Sequence, residues 1–250
     1  YTTLMKTYDN QGKYKEVEEI YQKMLVNKIQ PDCITYNTLM KAYDNQGKYK
    51  EVEEIYQKML VNKIQPDCIT YNTLMKAYDN QGKYKEVEAL YQEMLVNKIK
   101  PNCITYTILM KTYDNQCKYK EVEAIYQEML VNKIKPNCIT YTTLMKTYDN
   151  QGKYKEVEQI YQEIKEQNLL KVKEVSSIEI DIHGLQSITL QYYLEDIKNE
   201  IIDSRFKIIC GRGNNSGEEG PILNKVIIDF CKKYKLKYKI DSNGGRFIIG

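Results

Sequence analysis

Apolar and polar residues alternate at helical spacing in two stretches between Cys33 and Asp67. The first stretch places residues i, i+3, i+4 and i+7 on one face, namely Tyr36, Leu39, Met40 and Tyr43. The second stretch forms a similar face from Val52, Ile55, Tyr56, Met59 and Leu60. Thr35 is the predicted N-cap of the first helix, Gly47 ends that helix, and Pro66 follows the second. The segment is therefore predicted to fold as a helical hairpin with a core of tyrosine, methionine and aliphatic residues.

The same pattern returns five times at a spacing of 35 residues. The run Tyr-Asp-Asn-Gln-Gly-Lys-Tyr-Lys-Glu-Val-Glu occupies 8–18, 43–53, 78–88 and 148–158, and recurs at 113–123 with Cys117 in place of the glycine. A single hairpin cannot bury its own apolar face, so units of this kind stack on their neighbours. Residues 1–175 are therefore predicted to form an all-α solenoid of five repeats, the first of them truncated.

The 35-residue period stops after Val175, and the pattern changes to that of a mixed α/β segment. Short alternating runs predict strands, and longer runs with helical spacing predict helices. The predicted elements are a strand at 178–182, a helix at 187–204, a strand at 207–210, a glycine-rich loop at 211–220, a helix at 222–234, and strands at 236–240 and 246–249. Residues 176–250 are therefore predicted to form a small α/β sandwich with the order β-α-β-α-β-β.

Composition argues against several classes of protein. The formal net charge is only +3, a smaller excess than most nucleic-acid-binding proteins carry, although a solenoid can separate its charges between two faces. The chain has no apolar run near the ~20 residues that span a bilayer, and we expect no membrane association. No signal peptide is visible, and the chain begins at Tyr1 within a repeat, so we expect a piece of a longer protein.

The seven cysteines do not form the pattern of a disulfide framework. Four of them recur at the same point of successive repeats, which predicts small buried residues: Cys33, Cys68, Cys103 and Cys138. The other three, Cys117, Cys210 and Cys231, lack the spacing of a metal site. We therefore expect a reducing compartment and no structural zinc.

The first repeats differ at very few positions, and one of those positions is the polar fifth residue of the unit that begins at Cys33. Residues 1–35 and 36–70 differ only where Thr2 becomes Asn37 and Thr7 becomes Ala42. The residue that follows the proline equivalent to Pro66 also varies, since it is Asp in some repeats and Asn in others. Thr, Asn and Asp present different donors and acceptors, as discrimination between bases requires. The alternative is that these residues are a solvated first helical turn and a Pro-Asp or Pro-Asn turn.

The repeat length and several of its motifs resemble the pentatricopeptide repeat. The motifs are Cys-Ile-Thr-Tyr-Asn-Thr-Leu-Met at 68–75, Lys-Ile-Gln-Pro-Asp at 63–67, and a glycine between the helices. Tetratricopeptide repeats, by contrast, have 34 residues and a tryptophan signature, and this chain has no tryptophan. The resemblance covers all five units and implies that the array reads single-stranded RNA, one base per repeat.

Three positions of the unit that begins at Cys33 are implied by this resemblance to contact bases. The second position holds Ile34, Ile69, Ile104 and Ile139, whose side chains would sandwich the bases. The fifth holds Thr2, Asn37, Asn72, Thr107 and Thr142. The thirty-fifth holds Asp32, Asp67, Asn102 and Asn137, with Val172 in the last unit. The family's pairing tendencies imply a preference for 5′-G-U-(C/U)-A-3′, with poor discrimination by the last repeat.

One position departs from the family's pattern. The family usually has a basic residue two positions before the inter-helix glycine, where it meets phosphate, but here the residues are Asn45, Asn80, Asn115 and Asn150. The lysines one turn after the fifth position could take this role: Lys41, Lys76, Lys111 and Lys146. Alternatively, each lysine pairs with the aspartate three residues later, as Lys41 would with Asp44.

Two motifs of the C-terminal segment match those of the small MutS-related (SMR) domain. They are Ile180-Asp181-Ile182-His183-Gly184 and Gly211-Arg212-Gly213-Asn214-Asn215-Ser216. The resemblance implies a fold similar to the C-terminal domain of bacterial translation initiation factor three and, in several relatives, a nicking endonuclease activity. Proteins that join both domains act mainly in organelle gene expression, so we expect a mitochondrial or plastid location.

The residue types in these motifs suit phosphodiester cleavage. Asp181 and His183 are i, i+2 on a predicted strand, so the carboxylate could orient the imidazole as a general base or acid. Arg212 could stabilise developing charge, and the backbone of Gly211, Gly213, Asn214 and Ser216 could hold a phosphate. Mg²⁺ could share a carboxylate, and no other cofactor is expected. The alternative is that Asp181 and His183 only stabilise the strand end and the loop only binds RNA.

The leading hypothesis is a site-specific RNA endonuclease in which the repeats select the sequence and the C-terminal domain cuts. A second is a non-cleaving RNA-binding factor, for example within an organellar ribosome or RNA polymerase assembly. A third is a protein-docking scaffold or an engineered array, which the near-identity of the repeats leaves open.

Overall fold

The computed structural model describes residues 1–170, 173–176, 179–182, 187–203, 206–209, 220–241 and 246–250. The chain divides into two compact units, Tyr1–Lys135 and Pro136–Gly250. Among the described residues, no helix combines the length and apolar character needed to cross a bilayer.

The first unit, of which every residue is described, consists of four helical hairpins. Its helices are α1 Thr2–Asn10, α2 Tyr14–Val26, α3 Cys33–Asn45, α4 Tyr49–Val61, α5 Cys68–Asn80, α6 Tyr84–Val96, α7 Cys103–Asn115 and α8 Tyr119–Val131. The first helices of consecutive hairpins, α1, α3, α5 and α7, pack side by side. The predicted apolar faces are largely buried, with Tyr36, Leu39, Met40, Val52 and Met59 almost fully enclosed. Leu60, which was predicted to belong to the second face, is instead 41% exposed. The predicted solenoid of helical hairpins is thus confirmed.

The turn between the two helices of a hairpin has the predicted left-handed residue. Gly47 has a φ of +69°, and Cys117 adopts a φ of 56° at the equivalent place. The predicted start of the first helix was wrong, however. The N-cap of α3 is Asp32 and not Thr35, because the Asp32 carboxylate accepts a hydrogen bond from the Thr35 backbone N–H at 2.7 Å. Thr35 is therefore the third helical residue and is fully buried.

The second unit contains one more hairpin, formed by α9 Cys138–Asn150 and α10 Tyr154–Glu166. It continues with β1 Lys173–Ser176, β2 Glu179–Asp181, α11 Ser187–Asp196, α12 Lys198–Asp203, β3 Phe206–Ile209, α13 Gly220–Lys233, β4 Tyr238–Ile240 and β5 Arg246–Ile249. The strands form one sheet in the order β1-β2-β3-β5-β4, in which β2 and β3 are parallel and the other described pairs antiparallel. Leu190, Leu194, Ile208, Ile227 and Phe247 are buried in this part of the unit.

The mixed α/β character of the C-terminal segment is confirmed, with two differences from the predicted elements. Strand β1 was not predicted, and it lies where the repeats were expected to continue. The helix predicted at 187–204 is interrupted at Ile197 and forms α11 and α12.

The repeat cysteines are less enclosed than predicted. The six cysteines within the described residues do not form disulfide bonds with one another. Cys138 is buried, but Cys33, Cys68 and Cys103 are only half-buried because they begin their helices near the surface.

Candidate nucleic-acid interface

Isoleucines at the second position of the repeats project into solvent. Ile34, Ile69 and Ile104 in the first unit are 45%, 57% and 55% exposed, and Ile139 in the second unit is 51% exposed. Each lies in the first turn of its helix, directly after the residue that begins it. These exposed apolar side chains recur at the same position of successive repeats, unlike apolar residues that are scattered singly over a surface.

Two equivalent grooves lie between consecutive isoleucines of the first unit. The groove between Ile34 and Ile69 has a volume of about 410 Å³ and contains Asn37 and Asp67. The groove between Ile69 and Ile104 has a volume of about 250 Å³ and contains Asn72 and Asn102. The structure thus brings together the second, fifth and thirty-fifth residues of the second and third repeats in two grooves.

The fifth residue of the second repeat is held in one orientation. The Asn37 amide donates from Nδ2 to Asp67 Oδ1 at 2.9 Å, and its Oδ1 accepts from the Thr70 hydroxyl at 2.7 Å. Because an ionised carboxylate can only accept, Nδ2 must face Asp67. Asn37 is largely buried as a result, so its polar group is oriented before any ligand binds.

The third repeat has the same arrangement with an amide in place of the carboxylate. Asn72 donates from Nδ2 to Asn102 Oδ1 at 3.2 Å and accepts from the Thr105 hydroxyl at 2.7 Å. Thr70 and Thr105 therefore orient the fifth residues, a role that the sequence reasoning missed. The signal was present: both are polar residues, identical between repeats, at fully buried positions.

The threonines at the fifth position bond differently. Thr2 Oγ1 lies 3.0 Å from Thr35 Oγ1. Thr107 donates to the Cys103 carbonyl at 2.7 Å, and Thr142, which is buried in the second unit, donates to the Cys138 carbonyl at 2.9 Å. A short hydroxyl that bonds its own helix leaves more room in a groove than an asparagine does. Val172, the last residue of the predicted set, lies outside the described residues.

The thirty-fifth residue of each of these repeats is also the N-cap of the next first helix. Asp67 Oδ1 accepts from the backbone of Ile69 at 2.9 Å and of Thr70 at 3.0 Å, and Asn102 Oδ1 accepts equivalent bonds at 2.9 and 3.1 Å. Asp32 and Asn137 cap α3 and α9 in the same way. The cap uses one oxygen, so the remaining group is an oxygen in Asp67 and an NH₂ in Asn102.

The charge of Asp67 is stabilised by these contacts. Burial by itself would raise the pKa of Asp67, but hydrogen bonds from Thr70 and Asn37 outweigh it and hold the pKa below the ordinary value of 3.8. Burial, together with the negative charge of Asp67, raises the pKa of the neighbouring Cys33 thiol to about 11. At neutral pH the groove therefore presents an ionised carboxylate, and the Cys33 thiol beside that carboxylate is neutral.

The groove lysines do not form the local pairs that the sequence suggested. Lys41 Nζ lies 2.7 Å from Asp9 and Lys76 Nζ lies 2.7 Å from Asp44, so each lysine pairs with the preceding repeat and not with the aspartate three residues later. The reason is that these aspartates are buried between consecutive first helices, where the lysine of the next repeat reaches them. Lys41 and Lys76 both line the second groove, and their side chains remain 54% exposed.

The predicted C-terminal site lies mostly outside the described residues. His183, Gly211, Arg212, Gly213, Asn214 and Ser216 belong to segments that the structure does not describe. Asp181 is the last residue of β2, and its Cα partner in the parallel strand β3 is Ile209. Within the described ranges, no group of three or more His, Cys, Asp or Glu residues is arranged to hold a metal ion.

Two family models match the repeats. The model described as the pentatricopeptide repeat domain matches residues 1–46, 27–80 and 124–170, and the model described as the PPR repeat family matches residues 69–115. The comparison with curated proteins gave no match.

Several solved structures are similar to the chain. The pentatricopeptide repeat protein PPR10, in complex with an 18-nt psaJ RNA element, is 25% identical with a TM-score of 0.53. That match covers 64% of this chain and 23% of PPR10, so the chain spans about a quarter of its relative's length.

Two more distant structures share the fold. The PPR domain of Arabidopsis thaliana protein-only RNase P 1, in complex with tRNA, is 14% identical with a TM-score of 0.57 over 79% of this chain and 96% of that one. Arabidopsis thaliana nuclear protein-only RNase P 2 is 11% identical with a TM-score of 0.54 over 80% and 41%.

Proposed function

Because the chain belongs to the pentatricopeptide repeat family, we propose that its repeats bind single-stranded RNA along the exposed isoleucines, one base per repeat. The observation that carries this proposal is the recurrence of the groove. Two successive repeats present their fifth and thirty-fifth residues between two exposed isoleucines, although the thirty-fifth residue differs. The PPR10 structure, which contains an RNA element, supports the same class of ligand.

The isoleucines supply the part of the site that does not depend on sequence. A base between Ile34 and Ile69 would cover two half-exposed apolar side chains, which removes apolar area from water. Every base has two flat apolar faces, so this contribution is similar for all four bases. Discrimination must then come from the polar residues in the groove.

The thirty-fifth residue determines whether the groove offers a hydrogen-bond acceptor or a hydrogen-bond donor to the base. Asp67 offers an acceptor beyond its cap bonds and would favour a base with a ring N–H donor, which G and U have. Asn102 offers an NH₂ donor and would favour a base with an unprotonated ring nitrogen, which A and C have. Together with the family's pairing tendencies at the fifth position, this supports the preference 5′-G-U-(C/U)-A-3′ for the first four repeats.

Exchange of a fifth-position residue tests the proposal. Thr2→Asn gives the first repeat the residue that the second repeat has at Asn37, so preference at the first base should move from G towards U. The loss for the original base should be ~1–3 kcal/mol. The same substitution one residue later, Thr3→Asn, lies on the exposed surface of α1 and should leave preference unchanged. Equal affinity of the wild-type protein for cognate and shuffled RNA would reject base reading.

We further propose that residues 176–250 are an SMR domain that nicks RNA near the bound sequence. The parallel pairing of β2 with β3 supports this, because in the sequence the first SMR-like motif begins in the last residues of β2 and the second follows β3. Strand ends at one edge of a sheet are where α/β folds assemble polar sites. The alternative is a non-cleaving factor that binds and presents a transcript, and the two are distinguished by whether the protein cuts RNA that it binds.

A further inference from the structure

Three lysines of the first unit, each one turn after the fifth position of its repeat, pair with buried aspartates at unequal distances. Lys41 is 2.7 Å from Asp9, and Lys76 is 2.7 Å from Asp44, but Lys111 is 3.6 Å from Asp79. In all three pairs the aspartate side chain is at most 5% exposed, whereas the lysine is at least 54% exposed. The lysine is therefore accessible to a ligand, and the aspartate is not.

The second oxygen of each aspartate explains the difference. Asp79 Oδ1 accepts from the Thr112 hydroxyl at 2.9 Å and from Asn115 Nδ2 at 3.4 Å. Asp9 Oδ1 and Asp44 Oδ1 are buried without a hydrogen-bond partner in this fully described unit. The residue 33 positions after each aspartate is responsible, because Thr112 has a hydroxyl where Ala42 and Ala77 have none.

These bonding patterns affect what each lysine can do. A buried carboxylate with one unpartnered oxygen depends on its lysine, since a buried charge without a partner is costly. Lys41 and Lys76 would weaken that pairing if they turned towards a phosphate. Asp79 keeps two hydrogen bonds of its own, so Lys111 can be shared or released at a smaller cost.

We propose that Ala42, Ala77 and Thr112 are positioning residues that set how readily the preceding lysine of the same helix binds an RNA phosphate. A threonine here frees Lys111, and an alanine holds Lys41 and Lys76 on their aspartates. The proposal rests on the proposed function, namely that the groove binds RNA. It makes the contribution of phosphate contacts uneven along an array whose repeats are otherwise nearly identical.

The double variant Ala42→Thr with Ala77→Thr tests the proposal. Each threonine should supply the missing hydrogen bond and release one lysine. The plot of log affinity against log salt concentration should then become steeper by up to about 1.4, because each phosphate neutralised on a single strand contributes about 0.7. The change should appear with cognate and with shuffled RNA alike, because phosphate carries no sequence information. The reciprocal variant Thr112→Val should make the slope shallower by up to about 0.7.

The matched control is Ala42→Val with Ala77→Val. Valine has the size and branching of threonine but no hydroxyl, so its salt slope should equal that of the wild-type protein. Thermal unfolding without RNA provides an independent measurement, in which the threonine variant should be more stable than the valine variant.

A threonine variant that is stabilised and binds RNA, but with an unchanged salt slope, would overturn the proposal and leave RNA binding intact. Equal slopes for the threonine and valine variants, both steeper than wild type, would overturn the role of the hydroxyl. Absence of RNA binding by the wild-type protein would instead reject the proposed function, and this inference with it.

Discussion

Cys117 shows how one residue can strain a repeat. Its φ is 56°, in the left-handed region that the other repeats fill with glycine, for example Gly82 with a φ of +69°. A residue with a Cβ is disfavoured in this region, although the glycine's greater freedom in the unfolded chain offsets part of the difference. Cys117→Gly should therefore raise the free energy of unfolding by ~0.5–1 kcal/mol, measured by urea denaturation.

The reciprocal substitution Gly82→Cys, in the preceding repeat, is the control for this prediction. A Cβ at Gly82 would have no neighbour within 4 Å, so any loss of stability would arise from the backbone conformation and not from a clash. The variant should lose about as much stability as Cys117→Gly gains. Unchanged unfolding curves for both variants would mean that the turn tolerates any residue.

Asp67 caps a helix and is also proposed to contact a base. The pH dependence of stability tests its contribution to the fold. Its folded-state pKa lies below its ordinary value, so the stability that it contributes is present above about pH 3.8 and is lost as pH falls through the folded pKa. Asp67→Asn keeps the cap without a titrating group, as Asn102 does. The wild-type protein should therefore lose more stability between pH 5 and pH 2.5 than the variant. Parallel losses would show that Asp67 does not contribute to acid unfolding.

A comparison of two variants at neutral pH measures how much the N-cap hydrogen bonds of Asp67 contribute to stability. Asp67→Ala removes the acceptor for the backbone of Ile69 and Thr70 and should cost ~0.5–2 kcal/mol. Asp67→Asn should cost little in the same urea experiment. A similar loss for both variants would assign the effect to charge and not to capping.

The sequence predicted which positions vary but not how they act together. The variable fifth and thirty-fifth residues could be found by comparing repeats, and the structure brings them together in two grooves. The N-cap was misassigned because Thr35 and Asp32 are both good capping residues three positions apart, and sequence alone does not say where the helix begins. The pairing of Lys41 with Asp9 was missed because it joins residues 32 positions apart.

At the scale of whole helices, tyrosines and glutamates connect the later hairpins. Tyr56 of α4 and Tyr71 of α5 both donate to Glu93 of α6, at 2.9 and 3.0 Å. Burial, together with this hydrogen bond to the Glu93 carboxylate, raises the pKa of Tyr56, so its hydroxyl remains a donor through the neutral and mildly alkaline range. Three helices thus share one carboxylate. The earlier hairpins have Lys23 and Lys58 at the place of Glu93.

Lys58→Glu should extend this connection to the first hairpin. Lys58 lies 37 and 22 positions after Tyr21 and Tyr36, the same spacings that relate Glu93 to Tyr56 and Tyr71. A carboxylate there should stabilise the array by about 1 kcal/mol, the usual net value of a hydrogen bond. Lys58→Met, which keeps the length but not the acceptor, is the control in thermal unfolding. An equal gain from both variants would assign the effect to loss of the lysine charge.

The elements that could be predicted are those with a strong period. The helical hairpins bury one face and therefore show an i, i+3, i+4, i+7 pattern, which located all of them. Strand β1 has the sequence Lys-Glu-Val-Ser, in which a single apolar residue gives no alternation to detect. The interruption at Ile197 has no glycine or proline to mark it, so the two helices α11 and α12 appeared as one.

For the molecule as a whole, recognition and cutting are proposed to belong to different parts of the chain. His183→Ala should therefore abolish nicking of a labelled cognate RNA, because loss of one general acid or base typically costs ~10²–10⁴ in rate. Affinity for the same RNA should remain nearly unchanged, since recognition is proposed to belong to the repeats and effects at independent sites are additive.

Two further variants sharpen this test of the cutting proposal. Asp181→Asn should impair nicking less completely, because it removes orientation of the imidazole but not the proton carrier. Arg212→Ala should weaken both cutting and contact with RNA outside the repeats. A wild-type protein that binds RNA but never nicks it, with or without Mg²⁺, would favour the non-cleaving factor.

Selection from a pool of random single-stranded RNA tests the central claim most directly. The wild-type protein should enrich 5′-G-U-(C/U)-A-3′, and the exchanged variant Asp67→Asn with Asn102→Asp should enrich 5′-G-(C/U)-U-A-3′. Tolerance of C would thus move from the third base to the second, while the first and fourth bases stay the same. Enrichment of no common sequence, or of the same sequence by both proteins, would contradict base reading by the thirty-fifth residue of each repeat.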